Sequence, residues 1–161
     1  MARPDSGAID RAILAVLQAD PQLAALMPGG VWFGVAAAGL TRFVLVTLVD
    51  AVDEGLFGQR GIEDRLYRVH AVGLSHDASI GDMKAAAYRI DTLLEGDAPI
   101  ATPEDYGSID CVRETADEIS ALDELDKSLT WHNYGGEYRV TAAWPDPDVA
   151  ALATGGSAHV D

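Results

Sequence analysis

Apolar positions at helical spacing open the chain. Ile9, Ile13, Val16 and Leu17 fall on one stripe, so Gly7 to Ala19 is predicted to be an amphipathic helix that Ser6 can cap. Asp20-Pro21 interrupts it, because the residue before a proline avoids the helical region. "PQLAALM" offers one or two further turns, and "PGG", Pro28 to Gly30, ends them. Val31 to Val35 reads as a short strand. Arg42 to Val52, "RFVLVTLVDAV", is unbroken β-branched and apolar sequence, which predicts a central strand covered on both faces. "DEGLFGQRG", Asp53 to Gly61, is punctuated by glycine and predicts a flexible surface loop. Its alternative is a β-hairpin arm reaching a neighbouring subunit.

Glu63 to Leu74 alternates. Tyr67, Val69 and Ala71 share one face of the predicted strand, and Leu66, Arg68, His70 and Val72 share the other. Asp77 or Ser79 can then cap a helix that ends near Leu94 with Gly96 as its stop, and whose apolar stripe is Ile80, Met83, Ala87, Ile90 and Leu94. Ser108 to Glu114 reads as a strand, Thr115 to Ser128 as either a loop or a short helix, and Tyr138 to Trp144 as a half-buried strand. "NYGG", Asn133 to Gly136, is either a hairpin turn or a bend in a longer strand. Helices are few and strands cluster between them. The predicted class is α+β, a mainly antiparallel sheet with two main helices on one face. The expected organisation is one domain over residues 1–145 and a flexible tail of small residues over 146–161.

Charge changes this picture most. The 161 residues carry a formal net charge of −15, which disfavours any surface that must hold phosphate backbones. The excess is uneven: Asp91 to Asp126 contains twelve acids and one base, Arg113. A solvated acidic face accounts for this, and a surface that meets a basic partner or must not bind nucleic acid is the alternative. The single cysteine, Cys111, cannot form an intrachain disulfide or build a zinc site alone. The first residues lack the pattern of a signal peptide, and no stretch approaches the ~18 uninterrupted apolar residues of a membrane span. A soluble protein made in the cytoplasm is expected.

Candidate chemistry is thin. His70 and His76 lie six residues apart, ~20 Å along a straight strand, while two ligands of one metal must nearly touch. A small metal-dependent hydrolase using His70, His76 and Asp77 is therefore the weakest of the functions considered. No serine sits in a G-x-S-x-G elbow, and the glycines of residues 53–61 lack phosphate-loop spacing. The acidic pairs Asp53-Glu54, Glu63-Asp64 and Glu104-Asp105 match no calcium loop. Neither catalytic nor cofactor-binding nor metal residues are predicted, and the function is expected to reside in the surface.

Taken in order, the elements resemble the tail terminator, or tail completion, proteins of long-tailed bacteriophages. The likeness spans about residues 8 to 145. It rests on "LQADPQLAALMPGGVWFGVAA" (Leu17 to Ala38), on "TRFVLVTLVD", on "YRVHAVGLSHDASIGDMKAAAYRIDTLLEG", and on two closing strands around an acidic insert between Tyr106 and Trp144. Thr115 to Ser128 is longer than in the shorter members. The resemblance implies a virion protein at the junction of tail and head, assembled in the host cytoplasm as a ring, usually a hexamer. Such a ring caps the tail tube, ends its polymerisation and meets the head connector, while DNA passes through without specific binding. It implies no catalytic residue and no cofactor. Another head–tail connector or head-closure adaptor is the neighbouring alternative. A ring needs one surface to meet a different surface on the next copy. Candidates are the Asp53 to Gly61 segment, with Phe57, Gly58 and Arg60, and the aromatics Trp32, Trp131 and Tyr134, for which core packing is the alternative.

Overall fold

The structure is a computed structural model that describes residues 5–56, 59–96 and 100–145. Its elements follow the predicted order: α1 (Gly7–Gln18), α2 (Pro21–Leu26), β1 (Val31–Phe33), β2 (Arg42–Leu56), β3 (Gln59–Leu74), α3 (Ile80–Glu95), β4 (Ser108–Leu122) and β5 (Thr130–Ala143). One five-stranded sheet runs β1-β2-β3-β5-β4. The short β1 is parallel to β2, and every other pairing is antiparallel. The fold is thus α+β with its helices on one face of a mainly antiparallel sheet.

Period-two alternation decides which face the helices cover. The register sets Val44 beside Ala71, Val46 beside Val69 and Tyr67 beside Tyr138. All six are buried, and they form one cluster with Ile9, Ile13 and Leu17 of α1, Leu23 of α2, and Met83, Ile90 and Leu94 of α3. Burying such side chains contributes about 1.5–3 kcal/mol each before entropy is counted. The α3 stripe is corrected at one end: Ile80 is 48% exposed, whereas Ala86 is fully buried.

Capping shows how local chemistry sets the helix ends. Ser6 precedes α1 but makes no side-chain cap bond. The Gly7 N–H instead donates to the Asp5 carboxylate at 3.0 Å. Asp20, read in the sequence only as part of a break, caps α2 by accepting from the Leu23 N–H at 2.7 Å. Its two oxygens also take Arg89 of α3, at 3.0 Å from Nε and 2.5 Å from Nη2. This fork-shaped pair is directional as well as charged, so one carboxylate joins α2 to α3. Arg89 holds the Asp20 carboxyl below the usual carboxylate range. Ser79 is the N-cap of α3 in a capping box with Asp82. Asp77, the alternative cap, accepts instead from the Thr41 hydroxyl at 2.7 Å.

Four further expectations are corrected. Residues 53–61 are not a loop: β2 runs to Leu56 and β3 starts at Gln59, giving a long hairpin. Thr115 to Leu122 is neither loop nor helix but the second half of β4. The hairpin turn lies at residues 123–129, where Asp123 accepts from the backbone of Leu125 and Asp126, while Asn133 to Gly136 passes straight through β5. Finally, β2 is not covered on both faces, since Val49 and Val52 are 44% and 47% exposed. Only the first half of the apolar run is covered: Val44 and Val46 pack in the core, while Val49 and Val52 lie beyond it. The expected tail, residues 146–161, lies outside the described residues.

Gly135 is required where β5 crosses β3. A Cβ there would stand 2.0 Å from the Val69 carbonyl oxygen and 2.8 Å from the His70 ring. Gly135→Ala is therefore expected to destabilise the fold by about 1–3 kcal/mol, the usual range for overpacking. Denaturant unfolding measures it, and an unchanged midpoint would contradict the tight crossing.

Candidate functional surface

The helices leave the second face of the sheet open, and charged side chains bridge its strands there. Arg139 of β5 reaches Asp64 of β3 at 3.2 Å and pairs with Glu114 of β4 through Nε and Nη2. Arg68 meets Glu137 at 2.5 Å. The register puts Asp50, Asp110 and Asp117 on this same face, so acids outnumber bases. At one end the face turns apolar, with the Phe43 and Trp131 rings edge to face at 6.5 Å.

His70 belongs to this face. Its Nε2 lies 3.6 Å from an Asp117 oxygen, across the bare Gly135 backbone. Burial pulls its pKa below the ordinary histidine value, and the Asp117 charge offsets part of that. His76 is exposed in the turn between β3 and α3. Among the described residues no group of three or more His, Cys, Asp or Glu gathers to hold a metal ion. Cys111 is half-buried, and burial, then Asp110, Glu95 and Asp91, push its thiol up to about 12. It is therefore protonated at neutral pH.

A second polar group was missed in the sequence. On the helix-covered face the Tyr67 hydroxyl donates to Asp10 of α1, and Arg65 Nη1 reaches the same carboxylate at 3.2 Å. Glu63 is 1% exposed, with its Oε2 3.7 Å from Arg65 Nε. The signal was available: Glu63 and Arg65 continue the alternation that places Tyr67, Val69 and Ala71 inward. The group fixes α1 on β3 with directional contacts where apolar packing alone would let it slide.

The predicted contact residues divide. Phe57 and Gly58 lie outside the described residues, and only the backbone of Arg60 is described, paired with Gly55 in the hairpin. Trp131 is half-buried and its indole donates to Asp123 at 2.8 Å. Trp32 is half-buried too, donating to the Gly29 carbonyl at 2.8 Å. Tyr134 takes the core-packing alternative: it is 7% exposed, because β5 points it under α3 beside Tyr138. There it lines a groove of about 270 Å³ between α3 and the two last strands, with Ala87 and Ala116 also lining it and Lys84 and Glu118 at its rim.

The acidic stretch is gathered by the fold rather than scattered. Asp110, Glu114, Asp117 and Glu118 lie along β4, which is the outer strand, and Asp123, Glu124 and Asp126 occupy the turn that follows. Seven of the acids of 91–126 thus lie on the outer strand and the turn that follows it.

No family model matches the chain, and no curated protein does. Among solved structures, a chain described as belonging to the virion of a native gene transfer agent particle superposes with a TM-score of 0.56 at 19% identity. The match covers 88% of this chain and 99% of that one. A second solved protein superposes with a TM-score of 0.55 at 10% identity, over 89% of this chain and 99% of its own. At these identities the likeness is one of fold.

The His70 environment predicts a pH dependence. A folded-state pKa below the unfolded value of about 6.5 leaves the fold intact above that pH and weakens it as pH falls from 6.5 toward the folded pKa. Unfolding free energy measured over this window is expected to fall more steeply for the wild type than for His70→Gln. Identical slopes would show that the imidazole titrates as if unburied.

Proposed function

We propose that this chain is a structural subunit of a phage-like virion and, within it, the tail terminator: a ring that caps the tail tube, ends its growth and meets the head connector. The observation that carries the reading is the near-complete overlap of its fold with a virion-particle chain, over 99% of that chain's length. The order of elements described for the sequence points the same way. The chemistry of the open face fits an assembly role, since Arg68 and Arg139 are engaged in ion pairs that bridge its strands.

In the proposed ring, the open face of the sheet turns toward the channel. This face carries Asp50, Asp64, Asp110, Glu114, Asp117 and Glu137 against Arg68 and Arg139. A negative wall repels a passing phosphate backbone and keeps DNA from adhering. The hairpin of β2 and β3, with Phe57, Gly58 and Arg60, is proposed to reach the neighbouring subunit or the tube.

Two experiments test this. Removing the chain from the virion's assembly should give tails with overlong tubes and no attached heads, and adding the purified protein should restore defined length; tubes of normal length in its absence would sink the proposal. Phe57→Ala should weaken ring formation on tail tubes, counted by electron microscopy, more than it lowers the melting temperature. Rings and melting both unchanged would remove Phe57 from the contact.

A further inference from the structure

The exposed apolar side chains are not spread over the molecule. Among the described residues, ten large hydrophobic side chains are exposed, and eight of them lie at the two lateral ends of the sheet. Phe33 and Val35 flank β1, and Val49 and Val52 lie on β2. Val112, Ile119 and Leu122 are on β4, and Leu125, 99% exposed, is in the turn after it. The β2 and β4 edges are three strand spacings apart, roughly 14 Å, and they differ in sequence.

Both ends also carry unpaired strand edge. β4 is the outer strand over all fifteen of its residues. β1 covers β2 only at Val44 to Val46, so from Leu48 to Leu56 no strand among the described residues pairs with the outer side of β2. The directions are compatible. β2 is antiparallel to β3, β3 to β5 and β5 to β4, so β4 runs opposite to β2. Rotation about an axis along the strands keeps each strand's direction, so it brings β4 of one copy antiparallel to β2 of the next. That is the more stable pairing.

Taking the ring reading as its premise, we propose that these two edges are the two halves of one contact: β4 of one copy adds to the uncovered part of β2 of the next. Ile119 and Val52, which the register sets on the same open face, then come side by side across the new pairing, and the sheet continues around the ring. The occupant of each edge is a second copy of this chain. A heterologous contact of this kind closes into a ring when the rotation is right.

The area says how strong such a contact is. Nine residues of edge at ~3.3 Å each give a strip about 30 Å long. With a width of about one strand spacing it is far smaller than the ~800 Å² per partner of a stable complex. The flanking acids, Asp50 on one edge and Asp110 and Asp117 on the other, repel across it. An isolated pair of copies is therefore weak, and association strengthens as salt screens the repulsion.

The test uses the full chain, with association followed by sedimentation velocity over a range of salt and on tail tubes by electron microscopy. Val52→Glu and Ile119→Glu should each weaken association roughly tenfold or more, with melting temperatures near the wild type. Wild-type association should rise with salt. If either glutamate variant fails to fold, Val52→Thr or Ile119→Thr replaces it and should give a smaller loss in the same direction. Folded Val52→Glu and Ile119→Glu variants that form rings as the wild type does would overturn the edge contact and leave the ring reading standing. Association that falls with salt would overturn it too. Wild-type protein that forms no ring in solution or on tubes would overturn the proposed function along with it.

Discussion

Burial on one side of the sheet is the constraint from which the rest follows. Helices of twelve, six and sixteen residues can cover one face of strands that run to fifteen and sixteen residues. They cannot cover both. The covered face takes Val44, Val46, Val69, Ala71, Tyr138 and Val140 into one core with the helices. The other face, the hairpin end and the outer edges are left to water and to partners. Stability and interaction surface are thus separated by the alternation of the strands themselves.

Charge is placed so that this separation holds. On the open face, arginines span neighbouring strands, and Arg139 touches both Asp64 of β3 and Glu114 of β4. Exposed pairs of this kind contribute little each. Their stronger effect is on register, because a one-residue slip would carry the charged side chains to the helix-covered face. Acidic side chains along β4 also discourage indiscriminate pairing at a long free edge. The same feature makes any specific pairing there weak and dependent on salt, which suits a protein that must associate in one place and stay apart elsewhere.

The virion reading and the edge contact are connected through this economy of surface. The features that remain unexplained by the core are the apolar edge residues, the projecting hairpin and the acidic open face. Each has a place in the proposed ring of head-to-tail copies. The polar group of Asp10, Arg65 and Tyr67 has a quieter task, since it locks α1 where the sheet alone would not specify its position.

Much of this architecture was legible in the sequence because it depends on local periods. Helical spacing gave α1 and α3, β-branched runs gave β2, and the alternation of Tyr67, Val69 and Ala71 gave the buried face of β3. Composition alone located the acidic excess. Other features depend on which strands become neighbours, and that lies beyond any local window. β4 extends through "TADEISAL" because β5 offers it a partner along its whole length, although the sequence itself has loop-like polarity. Residues 53–61 become a hairpin because two strands already paired behind them carry the ladder onward. Tyr134 is buried because β5 lies under α3, and His70 meets Asp117 only because Gly135 leaves room between them. The sequence by itself determined the elements and the sign of the surface; the tertiary structure decided which edges stayed unpaired, because hydrogen-bond partners of a strand are chosen by the packing of the whole sheet.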